Sequence, residues 1–201
     1  HIADMDTFEL ANFNRQAGAM VSNLGKHKAE AMAASAHDIN PDARIKIFAN
    51  GVTEENLDAF LDGVDVYVDG LDFFVLDIRA RIFEKCREKG IPAVTAGPIG
   101  VTTACLIFDP NGLSFEEYFQ LRGKAPLSKA LHFLVGLTPH FPQKRHIVDF
   151  RYVSLKEHRG TSLSPACMAC SAVMGAEVFK LLLGRGKVYY APWATQFDLY
   201  L

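Results

Sequence analysis

The stretch "VDVYVDGLDFFVLDIRARIFEKCREKGIPAVTAGPIG", residues 64 to 100, restricts the fold more than any other part of the chain, because its apolar pattern switches twice. An apolar run reads as a buried strand ending in the acid Asp69. An amphipathic helix follows and is closed by Gly90, and another apolar strand starts at Ile91. The same order occurs earlier. "HIADMD" reads as the end of a strand, where apolar residues run into an acid. "GKHKAEAMAASAHDIN" reads as a helix that stops at Asn40, because Pro41 biases that residue out of the helical region. "ARIKIFAN" alternates as a strand with one polar face does, and "TEENLDAFLDG" carries a capping-box pattern, Thr53 with Asn56, before Gly63. Strands joined by helical crossovers predict an α/β fold, with a mainly parallel sheet and helices on both faces.

The remainder is less regular and predicts a C-terminal part with mixed strands. "VTTACLIFDPNGLSFEEYF" suggests a strand, a "DPNG" turn and a short helical piece. "PLSKALHFLVGLTPHFPQKRH" gives one helix and then a Pro- and His-containing loop. The most apolar helix is expected from Pro165 to Gly184, capped by Ser162 or Ser164, and "KVYYAPWATQFDLYL" supplies the last strands. With 201 residues, 49% of them hydrophobic, the chain can bury the core of a single domain. That domain divides into residues 1–108, an irregular crossover region 109–163, and the core helix with terminal strands 164–201. A formal charge of -2 gives no basic excess, so neither nucleic acid nor an anionic membrane is predicted as the main partner. The longest apolar runs are interrupted short of the ~20 residues a membrane span needs, so no membrane is expected as a partner. Four cysteines, at 86, 105, 167 and 170, are too few for a disulfide framework, which makes the cytoplasm the expected location.

In parallel sheets ligands collect at the carboxyl ends of strands, and three strands here end in "ADMD", "VDGLD" and "TAGP". The first is followed at once by a dense polar set in "DMDTFELANFNRQ": Asp4, Asp6, Asn12, Arg15 and Gln16. This stretch, with "LGKHKAEAMAASAHDINP" and "DVYVDGLD", resembles the ThiF/MoeB adenylyltransferases, the family of ubiquitin-activating-type enzymes. Their pattern runs D-x-D, N-x-x-R-Q, G-x-x-K, I-N-P, and a strand ending in D-x-x-D. The likeness covers residues 1 to about 108 in order and spacing, and the Pro165–Gly184 helix resembles the family's later core helix.

The resemblance implies a Rossmann-like fold and a reaction in which a carboxylate attacks the α-phosphorus of ATP, giving an acyl-adenylate and pyrophosphate. It implies that Asp4 receives the ribose hydroxyls, that Asn12 and Arg15 hold the phosphates, that Lys28 adds a point charge there, and that Gln16 supports this shell. Asp72 would bind Mg²⁺. Arg15, Lys28 and Asp72 are thus the candidate catalytic residues. The acceptor could be the C-terminus of a ubiquitin-like sulfur-carrier protein, a peptide, or a modified tRNA nucleoside. A homodimer is implied as well.

The family's first strand and glycine-rich loop are expected ahead of residue 1, so the chain is expected to start inside an element. Ala11 stands where the family often has a hydroxyl residue, and Phe73 where it commonly has Asn after the metal-binding acid. Many relatives hold zinc with two C-x-x-C pairs. This chain has only Cys167 and Cys170, spaced i and i+3 on an apolar helix, so zinc is not expected. No cysteine lies in an evident exposed loop beside a base, as a transfer nucleophile should. His140, His146 and His158, with Lys144, Arg145 and Arg159, fall in the 138–163 loop and could receive an acidic tail, although a solvated loop is the preferred explanation. Two other functions compete: an NAD- or FAD-binding oxidoreductase, and a non-catalytic partner of the same family. The N-x-x-R-Q and G-x-x-K blocks count against the first, and Phe73 favours the second.

Overall fold

A parallel β-α-β crossover opens the chain. Strand β1 (Ile2–Ala3) pairs in parallel with β2 (Ile47–Phe48), in the register Ile2 to Ile47 and Ala3 to Phe48. Between them lies α1 (Lys28–Ile39), whose buried face is Ala29, Ala31 and Ala33; methyl side chains let the helix lie close to its neighbours. The helix stops where the sequence says it should, with Asn40 extended (φ -135°, ψ 97°) ahead of Pro41. Of the expected strand "ARIKIFAN", Ile47 and Phe48 pair with β1. The short helix α2 (Leu57–Phe60) starts after Asn56, whose Oδ1 accepts the Thr53 N–H at 2.8 Å. Gly63 turns in the left-handed region (φ +67°) three residues beyond it. The computed structural model describes residues 1–145 and 162–200, which separate into two compact units, His1–Val64 and Asp65–Leu201.

The second unit is built on a four-stranded sheet in the order β3 (Tyr67–Asp69), β4 (Ala93–Ile99), β5 (Thr102–Phe108), β6 (Thr195–Asp198). The β3–β4 pairing is parallel, bridged by α3 (Leu76–Glu88). The β4–β5 and β5–β6 pairings are antiparallel, which are the mixed strands expected of the later chain. A tight hairpin joins Ile99 to Thr102 through Gly100, at φ +62°.

Helices cover both faces. Residues alternate along β4, so Val94 and Ala96 face α6 (Ser164–Leu183), while Gly97 on the other face meets Leu137 at the end of α5 (Pro126–Leu137). On the α6 side Val94, Cys105 and Ile107 pack with Val173, Met174, Val178 and Leu181. On the other side α4 (Phe115–Phe119) is started by a capping box: Ser114 Oγ accepts the Glu117 N–H at 3.1 Å, and the Glu117 carboxylate accepts the Ser114 N–H at 2.8 Å. Its Phe115 and Phe119 join Phe83, Phe108 and Phe133 in one aromatic cluster.

Two local expectations change. The residue preceding α6 is Leu163, extended at φ -113°, and neither Ser162 nor Ser164 caps the helix; Ser164 is already its first residue, and Pro165 fills a position that needs no N–H. By length and composition α6 is also apolar enough to cross a membrane, although its apolar runs look too short in the sequence. One face of it is packed on β4 and β5, with Ala166 and Cys170 buried.

Candidate functional site

In the first unit, five of the six expected site residues lie on one excursion of the chain, from the carboxyl end of β1 to the start of α1. Its base is stapled by backbone hydrogen bonds: Lys28 N–H to Asp6 O, Phe8 N–H to Lys26 O, and Gly25 N–H to Phe8 O, each 2.9 Å. Gly25 makes the return possible with φ +76°. Within the excursion a 3-10 turn, Leu10–Asn12, is fixed by Asn12, whose Oδ1 accepts the Glu9 N–H at 2.9 Å. The Asn12 carbonyl then accepts the N–H groups of Arg15 (3.1 Å) and Gln16 (2.9 Å), so the N-x-x-R-Q spacing is that of one folded turn.

Arg15 is half-buried. Its Nη1 donates to Ala11 O at 3.1 Å and to Asn14 Oδ1 at 2.9 Å, both neutral, and no carboxylate pairs with it among the described residues. The Gln16 side-chain amide likewise has no partner there. Asp4, just past β1, accepts the Asp6 N–H on Oδ1 at 2.9 Å, which leaves its other oxygen for a ligand. Lys28 is already engaged: Nζ lies 2.8 Å from Asp6 Oδ2, with only 12% of its side chain exposed. The second acid of D-x-D therefore holds the lysine, a role the D-x-D spacing signals once Lys28 is known to open α1.

Asp72, in the second unit, sits on the loop between β3 and α3. It is exposed, and its Oδ1 accepts the Phe74 N–H at 3.0 Å. Beneath it is a network the sequence reading missed. Asp69, 2% exposed, takes Arg79 Nε at 2.7 Å and Thr95 Oγ1 at 2.8 Å on Oδ2, and the Leu71 N–H at 3.1 Å on Oδ1. Arg79 is equally buried, and its remaining donors reach the carbonyls of Leu71 (2.6 Å), Asp72 (3.1 Å) and Phe73 (3.4 Å). The Phe133 ring lies 4.8 Å under its guanidinium. A signal was present in the sequence, since Leu76, Arg79, Ile82, Phe83 and Cys86 form the buried stripe of α3, and a charge on such a stripe needs a buried partner. Burial, together with the Asp69 charge, also pushes the Tyr67 hydroxyl well above its ordinary value.

Asp72 by itself fits a magnesium ligand. Mg²⁺ uses one or two carboxylates with phosphate oxygens, and Asp72 offers an oxygen with no partner among the described residues. A site of that kind does not require three protein ligands, and no group of three His, Cys, Asp or Glu placed for a metal occurs among the described residues. None of the four cysteines is joined in a disulfide. Burial pushes the thiols of Cys86 and Cys105 up to about 12 and that of Cys170 to about 11, with the Asp69 and Glu177 charges adding to the first two. Protonated thiols are poor nucleophiles. His140 and Lys144 are exposed, whereas His146, His158 and Arg159 lie outside the described residues.

Over 99 residues the chain is 34% identical to the tRNA threonylcarbamoyladenosine dehydratase of Escherichia coli (strain K12), covering 49% of this chain and 37% of that protein. The protein of the same name in Haemophilus influenzae is 31% identical over 123 residues, 58% of this chain and 42% of the relative. The matched region thus spans less than half the length of these curated relatives. Among solved structures, E. coli MccB with ATP superimposes with a TM-score of 0.64 at 16% identity, covering 96% of this chain and 50% of that one. E. coli tRNA N6-threonylcarbamoyladenosine dehydratase, TcdA, gives 0.57 at 21% identity, covering 90% and 74%. At these identities the superpositions establish the shared Rossmann-like α/β fold. The match to the ThiF family runs over residues 1–201, through both units and all the motif blocks described above, and the chain belongs to that family.

Proposed function

We propose that the chain carries the nucleotide site of an ATP-dependent adenylyltransferase. A carboxylate oxygen attacks the α-phosphorus of ATP, the bond from that phosphorus to the bridging oxygen breaks, and pyrophosphate leaves. The observation that carries this reading is Arg15. A guanidinium fixed on two neutral acceptors keeps its charge for an incoming anion, and charge on the equatorial phosphate oxygens grows as the reaction proceeds. Asn12 shapes the turn that aims Arg15, with Gln16 beside it, and Asp4 is placed at a strand end for ribose hydroxyls. Lys28, tethered to Asp6, supplies a second cation. Asp72 would hold Mg²⁺, which neutralises phosphate charge when bound.

The relatives' names direct the choice of acceptor. A tRNA is the first to assay, given the dehydratases named for tRNA threonylcarbamoyladenosine, and a protein or peptide C-terminus the second, given that MccB was solved together with MccA. We also read the protein as a cytoplasmic homodimer, in keeping with four cysteines outside any disulfide and the apolar residues left exposed on α6. The test is isotope exchange between pyrophosphate and ATP in the full-length protein that carries this chain. Mg²⁺-dependent exchange stimulated by one acceptor class is expected; nucleotide binding without exchange under any acceptor would instead favour a non-catalytic family member.

A further inference from the structure

We infer that Arg79 is a positioning residue for Asp72, setting the affinity of that carboxylate for Mg²⁺; the inference rests on the magnesium reading of Asp72 given above. An ion pair made for stability alone would need only the Asp69 carboxylate. Arg79 spends one donor there, at 2.7 Å, and directs the others at three successive carbonyls, those of Leu71, Asp72 and Phe73. Those carbonyls belong to the loop that carries the candidate metal ligand. Asp69 Oδ1 holds the Leu71 N–H from the same side, so the loop is gripped through both its donors and its acceptors.

The Asp72 side chain is then oriented by the Phe74 N–H, one residue beyond the gripped carbonyls. Arg79 is 2% exposed, so its charge is spent inside the protein and does not reach a nucleotide directly. The planar fork is what the geometry uses: three nitrogens at fixed angles engage four oxygens, which a single ammonium does not reproduce.

Arg79→Lys separates the two roles, because lysine keeps a charge against Asp69 but loses the carbonyl contacts. In the full-length protein, the Mg²⁺ concentration for half-maximal pyrophosphate exchange should rise by about tenfold or more, the usual range for groups that orient a metal ligand, while the ATP KM changes little. A purely structural role would lower the melting temperature without moving the Mg²⁺ dependence. Asp72→Asn, measured alongside, tests the underlying reading. If it shifts the Mg²⁺ dependence and Arg79→Lys does not, the positioning role is overturned. If Asp72→Asn shifts nothing, the magnesium reading itself falls and the inference falls with it.

Hydrogen exchange on the unaltered protein covers the case in which Arg79→Lys does not fold. A gripped loop requires the Leu71 and Phe74 amides to be protected to the level of α3, despite the exposure of Asp72. Exchange at free-loop rates would overturn the inference.

Discussion

At the scale of single residues, Arg15 and Arg79 show how differently one side-chain type can be used. Arg15 rests on neutral acceptors near the surface, so removing it should leave the fold almost untouched. Arg15→Ala is expected to abolish pyrophosphate exchange while shifting stability by no more than about 0.5 kcal/mol, as read from thermal melts beside the exchange assay. Asp4, Asn12, Arg15, Gln16 and Lys28 were singled out through the family resemblance, and the fold places all five on one stapled excursion from a strand end. Asp6 stood in that polar set without a role, and Arg79 lay on the apolar stripe of α3; in both cases the partner, Lys28 or Asp69, is what the local pattern does not name. The buried thiols make a residue-scale prediction about pH. Their folded values, about 12 for Cys86 and Cys105 and about 11 for Cys170, lie above the ordinary 9.0, so the fold favours the protonated form. That contribution is complete below pH 9 and is lost as pH rises from there toward 12. Denaturant midpoints should therefore fall across that window, and replacing all three cysteines by Ala should flatten the fall.

At the scale of elements, the long periodic segments were legible, and the short ones depended on partners. Helices α1, α3, α5 and α6 sit where apolar spacing and Pro or Gly punctuation put them. The start of α6 was misread: serines near a Pro suggest a cap, but the cap position falls on Leu163, between the two serines. Close packing between elements gives a test at Gly136 of α5. A Cβ there would lie 2.6 Å from ring atoms of Phe119, which is 1% exposed and has no room to move. Alanine would gain about 1 kcal/mol of helix propensity, while overpacking costs about 1 to 3 kcal/mol. With Phe119 held by Phe115, Tyr118 and Phe133, the cost falls at the upper end. Gly136→Ala should therefore lower unfolding free energy by about 1 to 2 kcal/mol in urea titrations.

At the scale of the whole molecule, the α/β class and the ThiF kinship were readable because five motif blocks keep one order along the chain, and the family match spans residues 1–201. What the sequence did not supply is how apolar surface is shared out. Only Ala166 and Cys170 of α6 are fully buried, whereas Met168 is 63% and Phe179 64% exposed. Burial of such a face against a second copy is the expected resolution, so sedimentation at micromolar concentration should return the mass of two subunits. A single-subunit mass would refute the homodimer. The Asp69–Arg79 pair also bears on how this chain can change over evolutionary time. Loss of either partner strands a charge in the interior at a cost of about 3 to 5 kcal/mol, a large share of the roughly 5 to 15 kcal/mol that holds a domain folded. Drift one letter at a time is therefore blocked at these two positions. Descendants of this sequence should keep both residues or exchange both together, and the ten-residue interval from the strand to the helix becomes a unit of inheritance.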